Sequence, residues 1–374
     1  MTRSPAARVI LAPDKFKGSL TAPEVAAALA AGVRRSAPDA EIRQVPVADG
    51  GDGTVEAFVA AGWTRVELTA PGPTGVPCRT SYARHDATAV VELAAVVGLA
   101  ILPEGQLDPL HASTFGLGVV LAHAMDHGVT EIVLGLGGSA STDGGAGMLQ
   151  ALGLRVLDAD GRELPSGAAS LTRAARLDLA GLHPGVAGTG FTLACDVDNP
   201  LLGPTGAAAV YAPQKGAGPA EVDLLESALA SWAELVGPEF ARHPGAGAAG
   251  GTGFGALAVL GARVRSGIEV VLDLLDFPAL LADATLVITG EGSLDRQSLR
   301  GKAPVGVCAA ARKADVPVVA VAGRTLLAPD EIRAAGFADC YTLADLEPDR
   351  ERSMAGAAAL LELVGARIAV ERLG

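Results

Sequence analysis

The acidic and basic side chains of this sequence cluster in short glycine-rich segments that follow apolar runs. PDKFKGS follows RVILA and contributes Asp14, Lys15 and Lys17, whereas DGGDG follows EIRQVPV and contributes Asp49 and Asp52. Carboxylates bind Mg²⁺ or accept a proton from an alcohol, and lysines neutralise anions. These residue types therefore favour chemistry on a small anionic substrate.

A third segment, GGSASTDGG at residues 137–145, follows the apolar run EIVLGL and precedes a predicted helix. Its small residues leave backbone N–H groups open to a ligand at the start of that helix, an arrangement that suits phosphate. The segment matches neither the Walker A pattern nor GxGxxG. We predict that it binds nucleotide phosphates through Gly137, Gly138, Ser139, Asp143 and Gly144.

Two more segments place carboxylates directly after apolar runs. DVDNP follows FTLAC, and a strand here would present Asp196 and Asp198 on one face, because they are two residues apart. GEGSLD follows ATLVIT and contributes Glu291 and Asp295. A carboxylate beside an alcohol is the general base that phosphoryl transfer uses, and we predict this role for Asp196.

Any one of these segments is weak evidence for a site, because loops after strands are often rich in glycine and aspartate for turn formation. The occurrence of five such segments in one chain is stronger evidence for a site. Parallel sheets bind ligands outside the carboxyl ends of their strands, and the segments recur at such ends. The sequence therefore predicts one site to which several strand ends contribute.

Apolar periodicity indicates the elements that would carry these segments. Residues 8–12 read as a strand, and Val25, Leu29 and Val33 form the apolar face of a following helix. Near the other end, a strand at 285–289 alternates with further helices and strands. The glycine- and alanine-rich residues 245–255 read as a flexible loop.

Strands that alternate with helices predict parallel sheets with right-handed crossovers. The N-terminal and C-terminal parts of the chain share this regular alternation, and the middle part differs from them. We therefore predict an α/β fold, in which a second α/β domain is inserted into a Rossmann-like, doubly wound parallel-sheet domain. The Rossmann-like domain would comprise residues 1–90 and 285–374, the inserted domain residues 91–284, and the active site would lie in the cleft between them.

Composition narrows the function classes. The chain has 374 residues, a formal net charge of -13 and 3% aromatic residues, which argues against a nucleic-acid partner. It contains no apolar run long enough to span a membrane, and its four cysteines form no CxxC pair. We expect a cytoplasmic protein without nucleic-acid or membrane partners, whose oligomeric state the sequence leaves open.

Two other function classes remain open at this point. A nicotinamide-dependent dehydrogenase would need GxGxxG in its first strand–helix turn, where this chain has PDKFKGS. A non-catalytic metabolite-binding regulator would bind the ligand without turnover. An assay of ADP release with a small hydroxy acid and Mg-ATP separates both from a kinase.

The combined segments resemble the bacterial glycerate kinase family. They are APDKFKGSLTA, VADGGDGT, STFGLG, GLGGSASTDGGAGMLQALG, ACDVDNPLLGPTGAAAVYAPQKGA and ITGEGSLDRQSLRGKAPVGV, followed by VPVVAVAG. The resemblance implies transfer of the ATP γ-phosphate, with Mg²⁺, to a hydroxyl of D-glycerate, in glycerate and glyoxylate metabolism. The product usual for the family is 2-phosphoglycerate; 3-phosphoglycerate, or another small hydroxy acid as substrate, is the alternative.

The chain departs from the family pattern at two places. Residues 140–143 read Ala-Ser-Thr-Asp where members often have Ala-Thr-Asn-Asp, and GEG is followed by Ser293 where many have Arg or Lys. The second departure removes one possible phosphate contact.

Residue roles follow from the resemblance and from side-chain type. We predict that Asp196, Lys17 and Lys15 are catalytic, that Asp52 and Asp196 bind Mg²⁺, and that Lys302 joins the 137–145 segment in binding ATP. The predicted substrate-binding residues are Asp14, Ser19, Asp49, Asp52, Asn199, Glu291 and Asp295.

Overall fold

The computed structural model describes residues 7–103 and 105–374, and these form two compact units. Unit 1 contains the described residues up to 49 together with 56–62 and 266–374. Unit 2 contains residues 50–55 and 63–265. Each unit has its own sheet and its own apolar core.

The strands are β1 (Arg8–Pro13), β2 (Glu41–Gln44), β3 (Thr64–Pro71), β4 (Pro77–His85), β5 (Thr88–Glu92), β6 (Glu131–Gly135), β7 (Arg155–Leu157), β8 (Arg176–Asp178), β9 (Gly190–Ala194), β10 (Arg263–Arg265), β11 (Leu286–Leu294), β12 (Val318–Thr325) and β13 (Asp339–Thr342).

The α-helices are α1 (Ala22–Ser36), α2 (Thr54–Ala60), α3 (Ala94–Val97), α4 (Phe115–Asp126), α5 (Ala146–Ala151), α6 (Ala207–Tyr211), α7 (Pro219–Val236), α8 (Ala248–Val259), α9 (Gly267–Leu274), α10 (Phe277–Leu281), α11 (Ala303–Lys313), α12 (Pro329–Ala334), α13 (Arg350–Ala355) and α14 (Ala357–Leu373). Short 3₁₀ helices include Pro213–Lys215, Ser298–Arg300 and Leu343–Asp345.

Unit 1 is built on a five-stranded sheet in the order β13-β12-β11-β1-β2, and all its strand pairs are parallel. The predicted parallel, doubly wound α/β architecture is confirmed here. Helix α1 begins after Thr21, where Glu24 accepts the Thr21 backbone N–H at 2.8 Å, a capping-box contact. Its Leu29 and Val33 are buried in the core under the sheet.

Unit 2 contains a six-stranded sheet in the order β10-β9-β6-β5-β4-β3. The pairs from β5 to β10 are parallel, whereas β3, β4 and β5 form an antiparallel meander. A separate antiparallel ribbon joins β7 to β8. Trp232 of α7 and Tyr82 of β4 are among the largest fully buried side chains of this unit.

The division of the chain differs from the sequence-based one. Residues 64–92 form β3, β4 and β5 of the unit 2 sheet, although we had assigned residues up to 90 to the first domain. The difference arises because local sequence marks these segments as strands but does not show which sheet they join. Strand pairing is decided by contacts with β6, far along the chain.

Two local predictions were wrong. Residues 245–255 do not form a flexible loop: α8 begins at Ala248, and residues 249–251 adopt left-handed backbone conformations that glycine tolerates. Strand β11 does not end at residue 289, because pairing with β12 extends it through Leu294. Within the described residues, no helix combines the length and apolar character needed to cross a membrane.

Candidate active site

Unit 1 contains a cavity of about 760 Å³ at the carboxyl end of its parallel strands. Both signs of charge line it, with three of the chain's five lysines among its residues. Eight residues predicted from the sequence lie here: Asp14, Lys15, Lys17, Ser19, Asp49, Glu291, Asp295 and Lys302. The structure therefore brings together predicted groups from three separate segments.

The register of β1 explains why distant segments meet at this cavity. Pro13 pairs with Gly290 of β11, and the backbone N–H of Asp14 donates to the Gly290 carbonyl at 2.8 Å. The backbone N–H of Val47 donates to the Pro13 carbonyl at 3.0 Å, which brings the chain toward Asp49 to the same sheet edge. Parallel pairing thus places all three carboxyl ends on one side.

The carboxyl group of Asp14 is the most strongly perturbed acid of this cavity. Burial and the neighbouring Asp49 carboxylate raise its pKa from 3.8 to about 7, although Lys15 opposes the rise. Its Oδ1 accepts the backbone N–H of Lys15 at 2.6 Å. Near neutral pH, Asp14 is therefore able both to hold and to release a proton.

Glu291 is nearly buried in the wall of the same cavity. Burial raises its pKa, against the lowering influence of the Ser298 hydroxyl and the Lys302 ammonium. Within the described residues, its Oε1 has no hydrogen-bond partner. A buried oxygen without a partner is costly, so this atom is suited to receive a hydrogen bond from a ligand hydroxyl.

Asp295 organises the turn that leads from β11 to α11. Its Oδ1 accepts the backbone N–H groups of Gln297 at 2.8 Å and of Ser298 at 3.2 Å. This turn ends at Lys302, the residue that precedes the first turn of α11. Asp295 thereby helps to position Lys302 on the cavity wall.

In unit 2, the loop of residues 50–53 packs against the ends of β6 and β9. A Cβ atom on Gly50 would lie 2.7 Å from the carbonyl oxygen of Ala194, and one on Gly137 would lie 2.8 Å from the Cα of Gly51. Side chains at these positions would clash, so glycine permits the approach. The loop that carries Asp52 consequently lies beside the segments that begin at residues 137 and 196.

Glu92, at the end of β5, holds the same loop and was not singled out from the sequence. Its carboxylate accepts the backbone N–H groups of Gly53 at 3.1 Å and of Val55 at 3.2 Å. Its position as the last residue of an apolar strand is the signal that could have identified it.

The 137–145 segment is organised around a carboxylate of its own. Asp143 is fully buried, and its Oδ2 accepts the backbone N–H of Thr114 at 2.8 Å and of Gly147 at 3.2 Å. Its Oδ1 accepts the backbone N–H of Gly145 at 3.2 Å. Asp143 therefore accepts N–H groups at the end of this segment and beside it, and nucleotide binding by the segment stays a prediction.

The DVDNP segment has an exposed acid and an engaged amide. Asp196 is exposed, directly after the end of β9. The Asn199 side chain donates to the Thr205 carbonyl at 2.8 Å and accepts the Tyr211 hydroxyl at 2.6 Å. Asn199 is thus used to shape its own loop, and its contact with substrate stays a prediction.

The donor set suits Mg²⁺ carried by a nucleotide better than a permanently bound metal. The described residues contain no cluster of three or more His, Cys, Asp or Glu side chains arranged to hold a metal ion. Mg²⁺ commonly takes one or two carboxylates and fills its other positions with phosphate and water oxygens. Asp52 and Asp196 fit that pattern by the chemistry of their oxygens.

The two arginines that line the cavity were not singled out by the sequence analysis. Arg324 follows Gly323 near the end of β12, and Arg350 begins α13; both line the cavity. Arg324 comes directly after the apolar run VVAVAG, so its position after a strand was the available signal. Nothing in the local pattern around Arg350 distinguishes it from a surface residue.

Comparison with known proteins identifies the family of this chain. The chain is 44% identical to glycerate kinase of Bacillus subtilis (84% of this chain, 85% of the relative) and 41% identical to that of Halalkalibacterium halodurans (97% of each). It is 44% identical to glycerate 2-kinase of Escherichia coli (84% of this chain, 85% of the relative). A crystal structure of a Salmonella typhimurium LT2 protein superposes with a TM-score of 0.85 at 40% identity, covering 98% of each chain. Because the glycerate kinase family model also matches residues 9–372, this chain belongs to the glycerate kinase family and is a kinase.

Proposed function

We propose that this chain transfers the γ-phosphoryl group of Mg-ATP to the 2-hydroxyl of D-glycerate and releases 2-phosphoglycerate and ADP. The cavity of unit 1 is the observation that carries the proposal, because it places lysines beside carboxyl groups at the carboxyl edge of a parallel sheet. Such a wall suits a substrate with one carboxylate and two hydroxyls. A relative named glycerate 2-kinase supports the 2-position.

In this proposal the basic and acidic residues of the cavity bind different groups of the substrates. Lys15 and Lys17 bind the carboxylate of glycerate or the transferred phosphoryl group. Glu291 accepts a hydrogen bond from a glycerate hydroxyl through its unpartnered Oε1. These contacts orient the substrate, which is the main contribution a protein makes to phosphoryl transfer.

The chemical step needs a proton acceptor and a means of neutralising phosphate charge. Asp196 accepts the proton of the 2-hydroxyl, the hydroxyl oxygen bonds to the γ-phosphorus, and the bond to the bridging oxygen of ADP breaks. Mg²⁺, when bound with ATP, supplies positive charge to the phosphate oxygens, and Asp52 and Asp196 are the residues that would hold it. Lys302 and the 137–145 segment bind the nucleotide. The cytoplasm as the site of this reaction also stays a prediction.

The experiment is a coupled assay of ADP release with D-glycerate and Mg-ATP, followed by phosphorus NMR of the product. We expect ADP release that requires both glycerate and Mg²⁺, and a phosphorus signal coupled to the single proton on carbon 2. Coupling to two protons would identify 3-phosphoglycerate and overturn the proposed position. L-glycerate and tartronate serve as controls for stereochemistry and for other hydroxy acids.

A further inference from the structure

The residue that follows GEG in β11 lies opposite an arginine of the next strand. Ser293 and Arg324 are register partners in the parallel β11–β12 pair, and both line the cavity of unit 1. Adjacent strands are about 4.8 Å apart, so side chains at paired positions are neighbours on one face of the sheet. A long side chain on either residue reaches the same part of the cavity.

The guanidinium of Arg324 has no charge partner in the part of the chain that the structure describes. Arg324 forms no hydrogen bond or ion pair with any residue that the structure describes, whereas Arg296, on the preceding turn, is bonded to Glu331 at 3.0 Å. The backbone next to Arg324 lies close to that of β11: a Cβ atom on Gly323 would lie 2.6 Å from the carbonyl oxygen of Gly292. Strands β11 and β12 are therefore tightly packed at the two glycines that precede Ser293 and Arg324.

The backbone of Lys17 also packs against β11. A Cβ atom on Gly292 would lie 3.2 Å from the backbone nitrogen of Lys17, so the Lys17 turn packs directly on β11. Lys17 also lines the cavity. The chain carries a net charge of -13, yet Arg324 and Lys17, which form no ion pair with any described residue, both line this cavity, which points to an anionic occupant.

We propose that Arg324 binds an anionic oxygen group in this cavity, and that β12 thereby supplies the cation that a basic residue at the position of Ser293 would supply from β11. The inference rests on the proposed function, because it assigns the anion to one of the two substrates. The guanidinium offers two parallel N–H groups, which match a carboxylate or a phosphoryl group. Because Arg324 pairs with Ser293 in the β11–β12 register, its Cα position is fixed by the sheet.

The first test compares R324S with R296S as the matched control. Both variants remove an exposed arginine of unit 1, but only Arg324 lines the cavity. We expect R324S to lower kcat/KM by about 10- to 100-fold, as expected when a hydrogen bond to a charged group is lost, and R296S to stay within about twofold of wild type. A higher KM for glycerate alone assigns the anion to its carboxylate, and a higher KM for ATP alone assigns it to the nucleotide phosphates.

The second test moves the cation to the neighbouring strand. In the double variant S293R/R324S the guanidinium starts from β11, and we expect kcat/KM to return to within about fivefold of wild type. A purely structural role for Arg324 would not be restored by a charge at residue 293. An R324S variant with the kinetics of R296S, or an impaired R324S that S293R does not rescue, would overturn the proposal.

Failure of the proposed function gives a different result. Wild type and R296S would then release no ADP with glycerate and Mg-ATP. An active wild type with an unaffected R324S would contradict only the role of Arg324.

Discussion

The side-chain ammonium of Lys215 donates a hydrogen bond to the backbone carbonyl of Ser141 in the interior of unit 2. Lys215 is 2% exposed, and burial lowers its pKa to about 7, while the nearby Asp143 carboxylate opposes that change. The indole N–H of Trp232 donates to the Gly144 carbonyl at 3.0 Å in the same segment. Buried donors thus fix the path of residues 141–144.

We predict that K215M lowers the free energy of unfolding by about 3 kcal/mol, because it leaves the buried Asp143 carboxylate without its opposite charge. Urea unfolding measures this change. K313M is the control: Lys313 is exposed, and its replacement should change stability by less than about 0.5 kcal/mol. Equal stability of the two variants would refute the assignment, and the double variant K215M/D143N should lose less than the sum of its single variants.

The buried carboxyl group of Asp14 should make unit 1 less stable as pH rises. Its folded-state pKa is raised to about 7 from 3.8, so between these values the folded protein binds more protons than the unfolded chain. Stability contributed at this position therefore falls from about pH 4 to pH 7.

We predict that D14N removes this loss. Its free energy of unfolding relative to wild type should rise by about 2–3 kcal/mol between pH 5 and pH 8, while kcat/KM for glycerate falls. Denaturant unfolding at both pH values and steady-state kinetics check the two parts. A relative stability that does not change with pH would show that Asp14 ionises normally.

The base assignment is tested by D196N. We predict that kcat falls by about 10²- to 10⁴-fold, because the 2-hydroxyl loses its proton acceptor, while ATP binding measured by calorimetry without Mg²⁺ is retained. D198N is the matched control, since Asp198 is exposed in the same segment and has no assigned role. Unchanged turnover in D196N would place the base elsewhere.

Helices α1 and α14 approach closely where glycine replaces a side chain. A Cβ atom on Gly32 would lie 2.0 Å from the Glu362 carbonyl oxygen. We predict that G32A lowers the free energy of unfolding by about 3 kcal/mol without a direct effect on KM, because the helices must separate. In G188A the new methyl group meets no atom within 4 Å, so stability should be nearly unchanged. A thermal shift assay of both variants checks this difference, and a G32A protein as stable as G188A would contradict it.

The local sequence pattern identified some residues of the cavity but not others. Asp14, Lys17 and Glu291 were found because an apolar run followed by glycine and charge marks the end of a strand, and this marking is local. Arg324 was missed because a single arginine after a strand resembles a surface residue. Its position on the cavity wall appears only when β12 is paired with β11.

The sequence by itself determined the α/β class, the strand ends that carry charged groups, and the family, because these depend on the order of residues along the chain. The tertiary structure decided that β3, β4 and β5 join the sheet of unit 2. It also decided that the carboxylate oxygens of Asp143 accept neighbouring backbone N–H groups, and that Ser293 is the register partner of Arg324. Each of these results depends on hydrogen bonds or strand register between segments distant in sequence. Such pairing is set by the free energy of the whole fold, which no local window contains.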